Sequence, residues 1–126
     1  MPHALLVDDD VNFILGLAEV VGREGFTTKT AHALKEARIE LGKAIPDVVL
    51  VDLDVPGTNG FEVTRQMKAS TNPAVSRIPI AAVSANVMAD ERSAALAAGC
   101  VAFVEKPFDI HRLRALVAEL AGRVPV

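Results

Sequence analysis

The sequence has no tryptophan and no tyrosine, and five phenylalanines are its whole aromatic content. Its core must therefore be built from Val, Leu, Ile and Ala. A single cysteine, Cys100, excludes an internal disulfide and any multi-cysteine metal site. It reads as a small buried hydrophobe, the usual fate of a free thiol. No apolar run approaches the ~20 residues that a bilayer span needs, and the opening MPHALLV runs straight into acids, unlike a signal peptide. The cytoplasm is the expected compartment, with no membrane partner. Nor is there a basic block: 13 Lys and Arg against 16 Asp and Glu leave a net charge of −3. That argues against direct nucleic-acid binding by phosphate neutralisation. His3, His32 and His111 are scattered, with no carboxylate or second histidine at ligand spacing.

What is present fits one soluble domain. At 126 residues, 51% hydrophobic and 23% charged, the chain can bury a proper core but is short for two. It shows no internal repeat or low-complexity tract. Residues 121–126 read as the start of a linker to an effector.

Four short apolar runs, Ala4–Val7, Val48–Val51, Ile80–Val83 and Val101–Val104, each end in polar or charged residues. Continuous rather than alternating apolarity predicts strands buried on both faces, as in a parallel sheet covered by helices. A more polar strand is expected at Phe26–Thr30, suited to a sheet edge. Helical patterns fill the gaps. Val11–Arg23 ends at Gly22 or Gly25. A second helix, marked by Leu34, Ala37 and Leu41, is stopped by Gly42 and Pro46. Gly60–Ser70 is a third, and Ala89–Ala98 a fourth, ending at Gly99 as a C-cap. Ile110, Leu113, Leu116, Val117 and Leu120 mark the last. Five strand–helix units imply right-handed crossovers and a doubly wound α/β sheet.

In such sheets the site lies outside the carboxyl ends of the strands. Asp8, Asp9 and Asp10 follow the first run, and Asp52 and Asp54 follow Val48–Val51. Ser84 follows Ile80–Val83, and Glu105, Lys106 and Pro107 follow the last. Singly, each has an ordinary reading: helix-capping acids, a turn residue before Pro56-Gly57, a strand-end hydroxyl, a surface lysine. Jointly, at successive strand ends, they point to phosphoryl transfer onto a carboxylate. Clustered carboxylates repel one another, and a hard cation such as Mg²⁺, which prefers oxygen ligands, relieves that repulsion and screens an incoming phosphoryl group. Asp52, at the central strand end, is the best placed nucleophile. Asp10 reads as a helix N-terminal charge rather than a ligand.

The segments LLVDDD, VVLVDLDVPGTNG, AAVSAN and FVEKPF resemble, in order and separation, the four motif blocks of response-regulator receiver domains. The resemblance spans about Pro2 to Leu120. It implies a flavodoxin-like (βα)5 fold with strand order 2-1-3-4-5. It implies Asp52 as phosphoacceptor, and Mg²⁺ bound by Asp9 and Asp52, by Asp8 through water, and by the backbone carbonyl of Asp54. Ser84 would move toward the phosphoryl group, Lys106 would pair with it, and Phe103 would be the aromatic switch. A cis peptide would join Lys106 to Pro107. Asp54 and Asn86, two residues beyond Asp52 and Ser84, would tune the lifetime of the phosphorylated state. The implied partners are a sensor histidine kinase or histidine phosphotransfer protein and an effector domain or target. The face made by the fourth helix, fifth strand and fifth helix would serve output and a possible homodimer. Val101 and Ala102 stand where winged-helix transcription factors of this type often carry an Asp pair, which speaks against their dimer. Arg112 and Arg114, beside His111, read as a solvated face. Such a domain catalyses only its own phosphorylation and dephosphorylation.

Two rival readings compete with this one. The first is a receiver-like binding module without phosphorylation, although every residue that the chemistry needs is present. The second is a haloacid-dehalogenase-like phosphatase, suggested by Asp52-Leu53-Asp54-Val55. Those enzymes usually carry that motif on the first strand and need more chain after it.

Overall fold

A computed structural model describes residues 3–8, 10–53, 60–85, 89–106 and 109–122. Within them, strands β1 (His3–Val7), β2 (Thr27–Ala31), β3 (Val48–Asp52), β4 (Ile80–Ser84) and β5 (Ala102–Glu105) form one sheet. The helices are α1 (Val11–Arg23), α2 (Leu34–Lys43), α3 (Gly60–Lys68), α4 (Pro73–Ser76), α5 (Ala89–Ala98) and α6 (Ile110–Gly122). Each strand pairs in parallel with its neighbours in the order β2-β1-β3-β4-β5. That is the expected flavodoxin-like order, with the polar β2 at an edge.

Successive strand residues point to opposite faces, and the core divides accordingly. Ala4, Leu6, Leu50 and Val83 pack under Ile14, Leu17 and Val21 of α1 and Leu113, Val117 and Leu120 of α6. Leu5, Val7, Val49, Val51 and Ala82 pack on the other side, under Ala37, Val63, Met67 and Ala95. Aliphatic side chains supply nearly all of this, with Phe26 as a fully buried aromatic.

Several boundaries differ from those expected. β5 starts at Ala102 rather than Val101, which is 40% exposed. It is also only half buried, because it forms the second edge of the sheet. Gly42 does not stop α2, which runs on to Lys43, and α3 ends at Lys68 rather than Ser70. α6 takes in positions 121 and 122, and residues 123–126 lie outside the described residues. The extra helix, α4, begins at an Asn72 N-cap whose side chain accepts from Ala74 N at 3.0 Å, with Pro73 at the first turn. The Asn-Pro pair is its sequence signal. α1 and α5 match their predicted spans. Beyond them, Gly25 (φ +94°) and Gly99 (φ +115°) take left-handed conformations that favour glycine.

Candidate functional site

The carboxyl ends of β1, β3, β4 and β5 meet at one edge. The register sets Val7 beside Val51, Asp52 beside Val83 and Ser84 beside Glu105. Backbone bonds carry the pairing one residue further: Asp8 N donates to Ala31 O at 3.0 Å, and Lys106 N donates to Ser84 O at 2.9 Å. The strand ends thereby bring Asp8, Asp52, Ser84 and Lys106 together. Asp8, Asp52 and Ser84 are all buried.

Lys106 Nζ lies 2.6 Å from Asp52 Oδ2 and 3.1 Å from Asp8 Oδ2. Its head also sits over the Phe13 ring, 4.2 Å from the centroid. Asp8 Oδ1 accepts from Asp10 N at 2.9 Å. Asp8 Oδ2 receives no well-directed hydrogen bond among the described residues, although the lysine is within ion-pair range. Burial raises the Asp8 carboxyl from its ordinary 3.8 to about 6; the Asp10 amide opposes this, Asp52 adds to it, and Lys106 opposes it. Burial alone would depress the Lys106 ammonium, but Asp52 and Asp8 outweigh it and hold the lysine above its usual value. Two carboxylates and one ammonium form a charged knot that a single cation does not neutralise.

The donor set fits Mg²⁺. A buried carboxylate oxygen without a directed partner, beside a second buried carboxylate, suits a hard, oxygen-seeking ion. Asp8 and Asp52 are two of the three expected carboxylates. The third, Asp9, lies outside the described residues, as do Asp54, Asn86 and Pro107. Among the described residues no three His, Cys, Asp or Glu side chains cluster in a way that could hold a metal.

Asp10 is the N-cap of α1, its side chain accepting from Phe13 N at 3.1 Å, so it serves the helix as its sequence position suggested. Phe103 is half buried, with Arg92 Cζ 5.1 Å from its ring centroid. The two border a cavity of about 340 Å³ with Glu105, Asp109, Arg112 and Leu116. Arg114 does more than face solvent: its Nε meets Glu24 Oε1 at 3.1 Å, tying α6 to the end of α1. Cys100 is buried as expected, its sulfur 3.7 Å from Thr64 Oγ1.

Two neighbours of the site escaped sequence reasoning. His32 Nδ1 lies 3.1 Å from the Asp8 carbonyl oxygen. It directly follows β2, so the rule that found the other strand-end residues would have found it. Phe13 lies inside a helix, where no strand-end signal reaches.

Residues 4–118 match the response regulator receiver domain family, and the chain belongs to that family. It is 31% identical over 123 residues to the phosphate regulon transcriptional regulatory protein PhoB of Rhizobium meliloti (strain 1021), covering 98% of this chain and 53% of PhoB. It is 34% identical over 115 residues to the response regulator protein PilR of Pseudomonas aeruginosa, covering 91% of this chain and 25% of PilR. The chain thus spans about half of the first relative and a quarter of the second. Among solved structures, the signal receiver domain of the DNA-binding response regulator protein merR from Colwellia psychrerythraea 34H superposes with a TM-score of 0.89 at 25% identity. That match covers 97% of this chain and 99% of the other. Asp52 ends the third strand, not the first, which sets the chain apart from the phosphatase pattern. No helix among the described residues is long and apolar enough to cross a membrane.

Proposed function

We propose that this receiver domain is a Mg²⁺-dependent phosphoacceptor in which Asp52 takes a phosphoryl group from a phosphohistidine on a partner kinase or phosphotransfer protein. The observation that carries the reading is the buried Asp8–Asp52–Lys106 cluster at the end of the central strand. An Asp52 carboxylate oxygen attacks phosphorus, the P–N bond breaks, and its electron pair leaves with the imidazole. Water later attacks the same phosphorus, the bond to Asp52 breaks, and inorganic phosphate departs. Lys106 stands where it can contact phosphoryl oxygens once they replace the carboxylate charge. Asp8, Asp9 and Asp52, with the Asp54 carbonyl, are the residues that would hold Mg²⁺, which supplies charge neutralisation at the phosphoryl oxygens.

Ser84, buried at the end of β4, follows the phosphoryl group inward in this reading, and Phe103 repacks with it. The α5, β5 and α6 face then shifts in population, through contacts that differ between the two states. That face exposes Leu96, Val101 and Ile110, where an effector or second copy would dock. Asp54 and Asn86 set the autodephosphorylation rate; an unchanged rate in the Asp54→Ala, Asn86→Ala double mutant removes that assignment. The domain acts catalytically only on itself, in the cytoplasm, without binding nucleic acid directly.

The deciding experiment is a thermal melt of wild type and Asp52→Asn, with and without Mg²⁺ and beryllofluoride. A ligand bound only by the folded state raises the midpoint. Stabilisation of wild type by Mg²⁺ plus the mimic, with the mimic's part lost in Asp52→Asn, supports the reading. No response in either protein favours a binding module that is not phosphorylated.

A further inference from the structure

The phosphoacceptor reading leaves Phe13 without a role. Its ring packs against the core on the α1 and α6 side of the sheet, and it carries the Lys106 head at cation–π distance. We propose that Phe13 is a positioning residue, an aromatic platform that holds the Lys106 ammonium over the Asp8–Asp52 pair and keeps it there while the phosphoryl group arrives and leaves. The proposal rests on Asp52 being the phosphoacceptor.

A lysine head is a strongly hydrated point charge on a flexible stem, and nothing intrinsic keeps it in place. The Lys106 side chain is 17% exposed, so water competes for it. Among the described residues three groups meet it: Asp52 at 2.6 Å, Asp8 at 3.1 Å and the Phe13 ring at 4.2 Å. The Asp52 contact changes during the reaction, because negative charge moves from its carboxylate to phosphoryl oxygens, whereas Asp8 keeps its carboxylate. The ring has no charge to move. With Asp8 it is common to both states, and unlike Asp8 it is not among the residues that would hold Mg²⁺.

The ring is itself tied to the carboxylates. Phe13 N donates to Asp10 Oδ1 at 3.1 Å, and Asp10 N donates to Asp8 Oδ1 at 2.9 Å. Asp8, Asp10, Phe13 and Lys106 therefore form a circuit closed by the Lys106–Asp8 pair, from which Lys106 also reaches Asp52. The cap that starts α1 also fixes where the platform stands. A leucine would fill similar space but lacks the negative ring face that attracts a cation.

The test uses acetyl phosphate with Mg²⁺, a small donor that removes protein docking from the measurement. Phe13→Leu should lower the maximal rate of Asp52 phosphorylation about three- to tenfold, with little change in the donor concentration at half-saturation. Phe13→Tyr should restore the rate. In a Lys106→Met background, Phe13→Leu should have no further effect. Independently of phosphorylation, the Lys106 ε-methylene protons should show an upfield ring-current shift in wild type and Phe13→Tyr that Phe13→Leu abolishes. A wild-type rate in Phe13→Leu, a deficit that persists without Lys106, or no ring-current shift in wild type overturns the platform. If wild type takes up no phosphoryl group while the shift behaves as described, the phosphoacceptor reading fails and the platform contact stands.

Discussion

Gly60 opens α3 so close to the end of β3 that a Cβ built on it would stand 2.6 Å from the carbonyl oxygen of Asp52 and 2.9 Å from Leu53 Cα. Both obstacles are backbone, and neither can swing aside. The helix α3 is thus seated directly against Asp52, the last residue of the central strand.

Gly60→Ala should destabilise the domain by about 1–3 kcal/mol, because overpacking against backbone outweighs the ~1 kcal/mol by which Ala favours a helix. Gly42→Ala is the control. Gly42 lies in α2, and a methyl group added there would meet nothing within 4 Å, so helix propensity should stabilise the variant by up to ~1 kcal/mol. Urea denaturation of both variants, giving shifts of opposite sign, checks the argument.

Asp8 predicts how the metal-free domain responds to pH. A carboxyl whose pKa is higher folded than unfolded holds its proton more tightly in the folded state. Between about pH 4 and pH 6, stability from this group falls as pH rises, and the loss is complete above that window. Asp8→Asn should therefore gain on wild type across the window and be more stable near neutral pH by up to about 3 kcal/mol, the attraction of Asp8 for Lys106 being already contained in its raised value. Thermal melts in EDTA from pH 4 to pH 7 measure the difference. A constant offset between the proteins contradicts it.

Lys106→Met should cost the metal-free protein about 3 kcal/mol, since it leaves two buried carboxylates without their cation. Adding Asp52→Asn removes one of those charges and should recover much of the loss. Chemical denaturation near neutral pH, completed as a double-mutant cycle, reads the coupling.

Cys100 should react with a disulfide reagent far more slowly than a free thiol. The residue is buried, and burial pushes its thiol up, with Thr64 and Lys68 opposing. The modification rate should rise with urea in parallel with unfolding. Rapid labelling under native conditions would show the site to be open.

The sheet was legible because β1, β3 and β4 are buried on both faces, and burial on both faces writes itself as uninterrupted Val, Leu, Ile and Ala. β5 was harder to delimit: as an edge strand it is only half buried, and the apolar Val101 before it is exposed and lies outside the strand. Among the site residues, Asp8, Asp52, Ser84 and Lys106 could be read from their place after apolar runs, and the structure brings these four together. What could not be read was contact between elements distant in sequence. Nothing local to Phe13 says that a lysine from the far end of the chain will rest on its ring, nor does anything near Glu24 announce Arg114.

Lys68 sends its head to the carbonyls of Ser76 and Ile78, at 3.2 and 2.9 Å, and its stem passes so close beneath Gly99 that a Cβ there would meet Cγ at 2.7 Å. The end of α5 thus rests close on the Lys68 stem, and Ala95 is its one fully buried side chain among those described. A rod fixed at one end pivots. At about 1.5 Å per residue, a ten-residue helix is a lever roughly 15 Å long. A tilt of ~10° about Gly99 would carry its free end roughly 2–3 Å, and that free end is the one nearer Ser84 along the chain. In a rod pivoting there, displacement is greatest at the end nearer Ser84 and vanishes at Gly99, so movement at that edge of the sheet passes to the helix undiminished only where the two meet.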